Sequence, residues 1–228
     1  MLTRGRRVDS DPVARRASAL PDREQHLEED PVEPYEVEPA DAEEPGQPEL
    51  DPEVAARRAA ALAHIRKFGD PVLRTQARPV DQFDTALAAE VEQMGRLMSD
   101  ALGVGLAATQ VGVLHRVLVY RVGLQGPIAA LVNPEIEWKG REIEAMEEGC
   151  LSLPSVLLDV ERPIHVRVRG RDERGEPLTV EASGLEARVI LHEMDHLDGV
   201  LILDRASREA RKDAMRAMRE AAAAEDAA

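Results

Sequence analysis

Between residues 81 and 101 apolar side chains recur in steps of three and four: Phe83, Leu87, Val91, Met94, Leu97 and Met98. That spacing lines one face of an α-helix and predicts a helix over 81–101, ended by Gly103 and Gly105. An Ala-rich run from Ala55 to His64 predicts an earlier helix, starting near Glu53 and broken at Gly69-Asp70-Pro71. Further along, the period changes. Val117–Tyr120 and Ala129–Val132 predict strands, the second halted at Asn133-Pro134. Val166 and Val168 alternate with Arg167 and Arg169, as in a strand with one wet face. Arg174-Gly175 is the expected hairpin turn and Leu178–Ala182 the returning strand. A third helix is predicted over 184–197 with Gly199 as its stop, then a short apolar run Leu201-Ile202-Leu203 and a last Ala- and Arg-rich helix over 206–223. Helices and short strands mix without regular βα alternation, which predicts the α+β class.

Composition divides the chain. Of 228 residues 43% are hydrophobic but only 2% aromatic, so the core must be built from Leu, Val, Ile, Ala and Met. The formal net charge of -15 argues against broad binding to DNA or to an anionic membrane. Much of that charge lies early, in runs such as Glu28-Glu29-Asp30 and Glu43-Glu44 set among prolines. Residues 1–53 are therefore expected to form a disordered acidic extension, too poor in apolar residues to offset chain entropy. A catalytic domain is expected over 54–205, and a C-terminal helix and tail over 206–228. The single cysteine rules out an internal disulfide and fits a reducing compartment. With no run of ~18 apolar residues and no apolar signal segment, a cytoplasmic location is expected.

The sharpest chemical signal is His192-Glu193-Met194-Asp195-His196. On a helix, positions i and i+4 share a face, so both imidazoles can reach one metal ion. Glu193, beside the first, is placed to take a proton from water. The plainer alternative is two surface histidines flanking a charge. Two histidines do not complete a mononuclear catalytic site, which normally has three protein ligands and an open position. The best third candidate is Cys150, in Glu147-Glu148-Gly149-Cys150-Leu151-Ser152-Leu153-Pro154. Taken alone, it is as readily a small core residue as a ligand. Gly103-Val104-Gly105-Leu106-Ala107-Ala108-Thr109-Gln110 is a third feature. Its small residues let a backbone come close to a ligand, or simply join a helix tightly to a strand.

Taken in order, GxGxAAxQ at 103–110, EGCLS at 148–152 and HExDHLxG at 192–199 resemble the peptide deformylases, with similarity over about residues 60 to 205. The resemblance implies an α+β fold with short sheets packed around a central helix carrying HExxH. It implies removal of the N-formyl group from the initiator methionine of nascent polypeptides, with release of formate. It implies one divalent metal ion held by Cys150, His192 and His196, Fe2+ foremost, with Zn2+ or Ni2+ able to take the site. It also implies Glu193 as the base, and the Gln110 side-chain amide and Leu151 backbone N–H as donors to the formyl oxygen. Val104 and Gly105 would contact the substrate.

Two departures stand out. Leu157 occupies a position where some family members carry an arginine near the substrate, and Leu191 replaces a common glutamine before the HE pair. Arg205, Arg208, Lys212, Arg216 and Arg219 form a basic stripe on the last helix. It is either a solvated face or a ribosome contact, as in some family members. The runner-up function is an HExxH metalloprotease, but no histidine follows His196 to serve as a downstream ligand. A metal-sensing or ribosome-binding module without activity would not need Glu193 and Gln110, and both are present.

Overall fold

The computed structural model describes residues 50–123 and 126–225. The expected acidic extension, up to residue 49, lies outside the described residues. Helix α1 (Pro52–Leu62) starts one residue before Glu53, because the Asp51 carboxylate accepts from the N–H groups of Glu53 and Val54 and Pro52 fits the first turn. Asp84 does the same for α2 (Thr85–Asp100), accepting from Ala86 and Leu87 N–H. That helix ends before Gly103 rather than at the glycines, and Gly105 already belongs to a strand.

Strands β1 (Gly105–Ala107), β2 (Val117–Tyr120), β3 (Ala129–Lys139), β6 (His165–Arg171) and β7 (Pro177–Ser183) form one antiparallel sheet in the order β1-β2-β3-β6-β7. Each face carries a helix. Leu118, Tyr120 and Leu131 pack towards α3 (Leu185–Leu197) with Ile190, Met194 and Leu197. Val117, Val119 and Val132 pack towards α2 with Leu87, Met94 and Met98. Burial on both faces explains why β2 is a continuous apolar run and not an alternating one.

Three segments differ from the sequence expectation. Asn133-Pro134 does not end β3. The strand continues to Lys139 through two register shifts, with Asn133 at φ 52°, so the proline sits at an irregularity where no ladder donor is needed. Residues 143–163 form a two-stranded sheet, β4 (Ile143–Cys150) paired with β5 (Leu153–Pro163), that periodicity did not reveal. The 201–203 run leads into a short helix, α4 (Ile202–Arg205), followed by α5 (Arg208–Glu225). Leu201, Ile202 and Leu203, with Ala210, Ala214, Met215 and Met218 of α5, cover Leu153, Val156, Leu158 and Val160 of the small sheet. The small sheet thus has a core of its own, and α3 touches both it and the large sheet. The expected arrangement of short sheets around a central HExxH helix is the one observed.

Among the described residues, no helix is long and apolar enough to cross a membrane.

Candidate metal centre

Helix α3 is buried along almost its whole length, including Glu193 and His196. It stops where Gly199 turns to φ +72° with its α-carbon against the Arg74 carbonyl; a β-carbon there would lie 2.8 Å from that oxygen. One turn apart on this helix, the rings of His192 and His196 stand 5.0 Å apart at 66°. Cys150 is delivered by the end of β4, where the register shifts between Gly149 and Cys150. Ligand atoms of Cys150, His192 and His196 lie within 4.8 Å of one another, with Sγ 3.2 Å from His196 Nε2. A tetrahedral ion with usual metal–sulfur and metal–nitrogen bonds spaces its ligand atoms about 3.3–3.6 Å apart. The donor set therefore fits one divalent ion.

The surroundings prepare these groups. His192 Nδ1 stands 2.9 Å from Glu148 Oε2, which sets the tautomer and leaves Nε2 free as a ligand. Glu148 is 6% exposed and also accepts from Arg162 Nε and Nη2 at 2.6 and 2.9 Å and from Arg188 Nη1 at 2.8 Å. Burial alone would raise its pKa, but the bonds from His192 and Arg162 lower it to about 2. Burial would likewise raise the Cys150 thiol, yet the two imidazoles hold it well below its ordinary value, which favours the thiolate needed for ligation.

Glu193 is 4% exposed, and its Oε2 has no hydrogen-bond partner among the described residues; neither has His196 Nδ1. Such buried orphans are costly and cluster where a ligand belongs. Burial raises the Glu193 carboxyl above its ordinary value, only partly countered by the two histidines, which makes it a stronger proton acceptor than an exposed carboxylate. Gly105 makes this placement possible: a β-carbon there would lie 2.9 Å from both Cγ and Cδ of Glu193. Neighbouring Val104 is half exposed.

Gln110 follows β1 in a single 3-10 turn (Ala108–Val111). Its Oε1 accepts from Ala107 N–H at 2.9 Å, so the amide points its N–H end at Ser152 Oγ (3.2 Å) and Cys150 Sγ (3.7 Å). Leu151 packs beneath Gly103, and its carbonyl accepts from Lys67 Nζ at 3.0 Å. Leu157 is 62% exposed and lies over Gly149, the residue before Cys150. Leu191 is buried in the large-sheet core, a packing role that needs no polar group.

Sequence reasoning left four contributors without a role: Glu148, Arg162, Asp195 and Lys67. Glu148 sits two residues before Cys150 within a recognised motif, which was its available signal. Arg162 and Lys67 carry no local signal. Arg205, read as part of the basic stripe, instead gives Nε (3.0 Å) and Nη2 to Asp195, so that position is a correction.

A buried HExxH helix, a cysteine on a flanking strand and an amide donor facing them are the marks of a metal-dependent hydrolase of the HExxH class. Residues 62–212 match the polypeptide deformylase family, and the chain belongs to that family. It is 48% identical to a peptide deformylase of Acidothermus cellulolyticus over 161 residues, 71% of this chain and 88% of the relative. It is 50% identical to one of Thermotoga neapolitana over 144 residues, 63% and 87% of the two chains. Solved peptide deformylases share the fold. The Synechococcus elongatus structure, a complex with actinonin, has a TM-score of 0.65 at 44% identity, covering 67% of this chain and 85% of that one. The Thermotoga maritima structure has a TM-score of 0.61 at 48% identity, covering 63% and 96%.

Proposed function

We propose that Cys150, His192 and His196 hold one divalent metal ion and that Glu193, Gln110 and Leu151 act on the formyl group of N-formylmethionyl nascent peptides. The enzyme is a peptide deformylase: it removes that group and releases formate. The observation that carries the assignment of roles is the convergence of three ligand atoms within 4.8 Å beside the unpartnered carboxylate of Glu193. When bound, a divalent ion supplies Lewis acidity, lowering the pKa of water towards neutrality and polarising a carbonyl oxygen. Glu193 takes the proton from the attacking water and passes it to the leaving amine. The Gln110 amide, held N–H inward by Ala107, donates to the formyl oxygen as it gains charge, together with the Leu151 N–H. Val104 and Gly105 line the substrate's approach, and the formyl hydrogen is small enough to pass the wall left bare by Gly105.

Fe2+ is the proposed native ion, with Zn2+ or Ni2+ as alternatives accepted by a mixed sulfur and nitrogen set. The proposed organisation is an acidic extension over 1–53, a catalytic domain over 54–205 and the C-terminal helix beyond. A cytoplasmic enzyme meeting nascent chains at the ribosome is the proposed setting. Arg208, Arg211, Lys212, Arg216 and Arg219 flank one groove on α5, while Ala210, Ala214, Met215 and Met218 of the same helix pack on the core. Reversing Arg208, Lys212 and Arg219 to glutamate leaves the packing residues in place and should abolish ribosome co-sedimentation. Unchanged co-sedimentation would refute the contact.

The function is tested with two peptides. Formyl-Met-Ala-Ser should yield formate and intact Met-Ala-Ser. An unformylated internally quenched peptide should stay uncut, and its cleavage would favour the metalloprotease alternative.

A further inference from the structure

Cys150 lies on β4 and both histidines lie on α3, so the ligand set depends on the spacing of two elements that share no sheet. Arg162 of β5 spans them. It is 4% exposed, and its Nε and Nη2 donate to both oxygens of Glu148 at 2.6 and 2.9 Å while Nη1 donates to Asp195 Oδ2 at 2.9 Å. Glu148 stands two residues before Cys150 and receives His192 Nδ1; Asp195 directly precedes His196. One rigid guanidinium is therefore bonded to a partner or neighbour of every ligand. Arg205 of α4 braces Asp195 from the surface, its side chain 47% exposed. Arg188 holds Glu148 from the other side but spends its remaining bonds on the carbonyls of Val160 and Glu144. A buried ion cluster adds little stability over an apolar replacement, whereas its geometry is highly specific.

We propose that Arg162 is the positioning residue of the metal centre, its planar fork fixing Glu148 and Asp195, and through them the thiolate of β4 and the imidazoles of α3, at ligating distance. A lysine would keep the charge but bond one carboxylate at a time. The inference rests on the ligand assignment above.

The test uses the full chain, stripped of metal and titrated with Co2+, following the thiolate charge-transfer and d–d absorption bands. Arg162→Lys should bind Co2+ ~10–100-fold more weakly, the usual cost of losing a partner behind the ligands, and with shifted bands. Arg205→Gln should move both readouts the same way by less. Val168→Ala, a buried change on β6 in the core that packs against α3 but with no polar atom to bond a ligand or its partners, should lower Tm yet leave affinity and bands as in the wild type. Folded Arg162→Lys with wild-type affinity and bands would overturn the proposal. So would Val168→Ala losing affinity in step with its Tm. If Arg162→Lys does not fold, wild-type affinity and bands in Arg205→Gln would overturn it. Wild-type protein that takes up no Co2+ would overturn the ligand assignment itself, and this proposal with it.

Discussion

Gly105→Ala tests the site at its tightest point. The backbone at Gly105 lies outside the left-handed region, so alanine brings no φ strain, and the effect is purely that of one methyl group. That methyl would sit 2.9 Å from Cγ and Cδ of Glu193 and closer still to Oε1. Carbon atoms pack at ~3.5–4.0 Å, so the carboxylate must retreat by roughly 0.6–1 Å. It is 4% exposed and has no open solvent to move into. A displacement of ~1 Å at a reacting group costs ~10²-fold, and a general base contributes ~10²–10⁴-fold in total. We therefore expect kcat/KM to fall ~10²-fold or more while one metal per chain is retained. The assay is formate release from formyl-Met-Ala-Ser coupled to formate dehydrogenase, with metal measured on the same sample. Gly95→Ala, whose methyl would meet only Cδ1 and Cγ2 of the exposed Ile128, at 3.2 and 3.3 Å, is the matched control. Activity within about threefold of the wild type in fully metallated Gly105→Ala would refute the placement of Glu193 as the base.

Gln110→Ala should lower kcat by ~10²–10³-fold with metal content unchanged, the usual cost of one donor to a developing oxyanion; single-turnover kinetics would show it. Leu157→Arg should leave kcat intact and lower KM for formyl-Met-Ala-Asp relative to formyl-Met-Ala-Lys, because the new charge stands at the rim beside Gly149. Burial alone would raise the Asp204 carboxyl, yet Arg74 and the Leu201 N–H hold it below its ordinary 3.8. The folded state then binds that proton less readily than the unfolded one, so the stabilisation is present above about pH 4 and lost as pH falls further. The Tm gap between wild type and Asp204→Asn should accordingly narrow below about pH 4 in thermal melts.

Helix α2 was legible because it buries one face at helical spacing, α1 because of its Ala-rich run, and both start at an aspartate cap. The hairpin of β4 and β5 was not. Most of β4 is exposed, so Glu144, Glu147 and their neighbours show no alternation, and in β5 the pattern is interrupted by Ser155 at φ 60° and by exposed Leu157. Asn133-Pro134 looked like a strand end because a bulge uses the same residues. At the candidate site, Cys150, His192, His196 and Gln110 lie in local motifs and were legible as candidates. Arg162 and Asp195 act through bonds 33 residues apart, and a charged residue in a strand reads as solvent-facing until its partner is known.

The most direct measurement is a metal titration of metal-free wild-type and Glu193→Ala protein, with Co2+ absorption and formate release recorded together. Both proteins should show an absorption break at one equivalent per chain. Formate release should rise with it only in the wild type, and Glu193→Ala should remain ~10²–10⁴-fold slower when fully loaded. A break at another stoichiometry, or near-wild-type turnover in Glu193→Ala, would contradict the ligand set or the base.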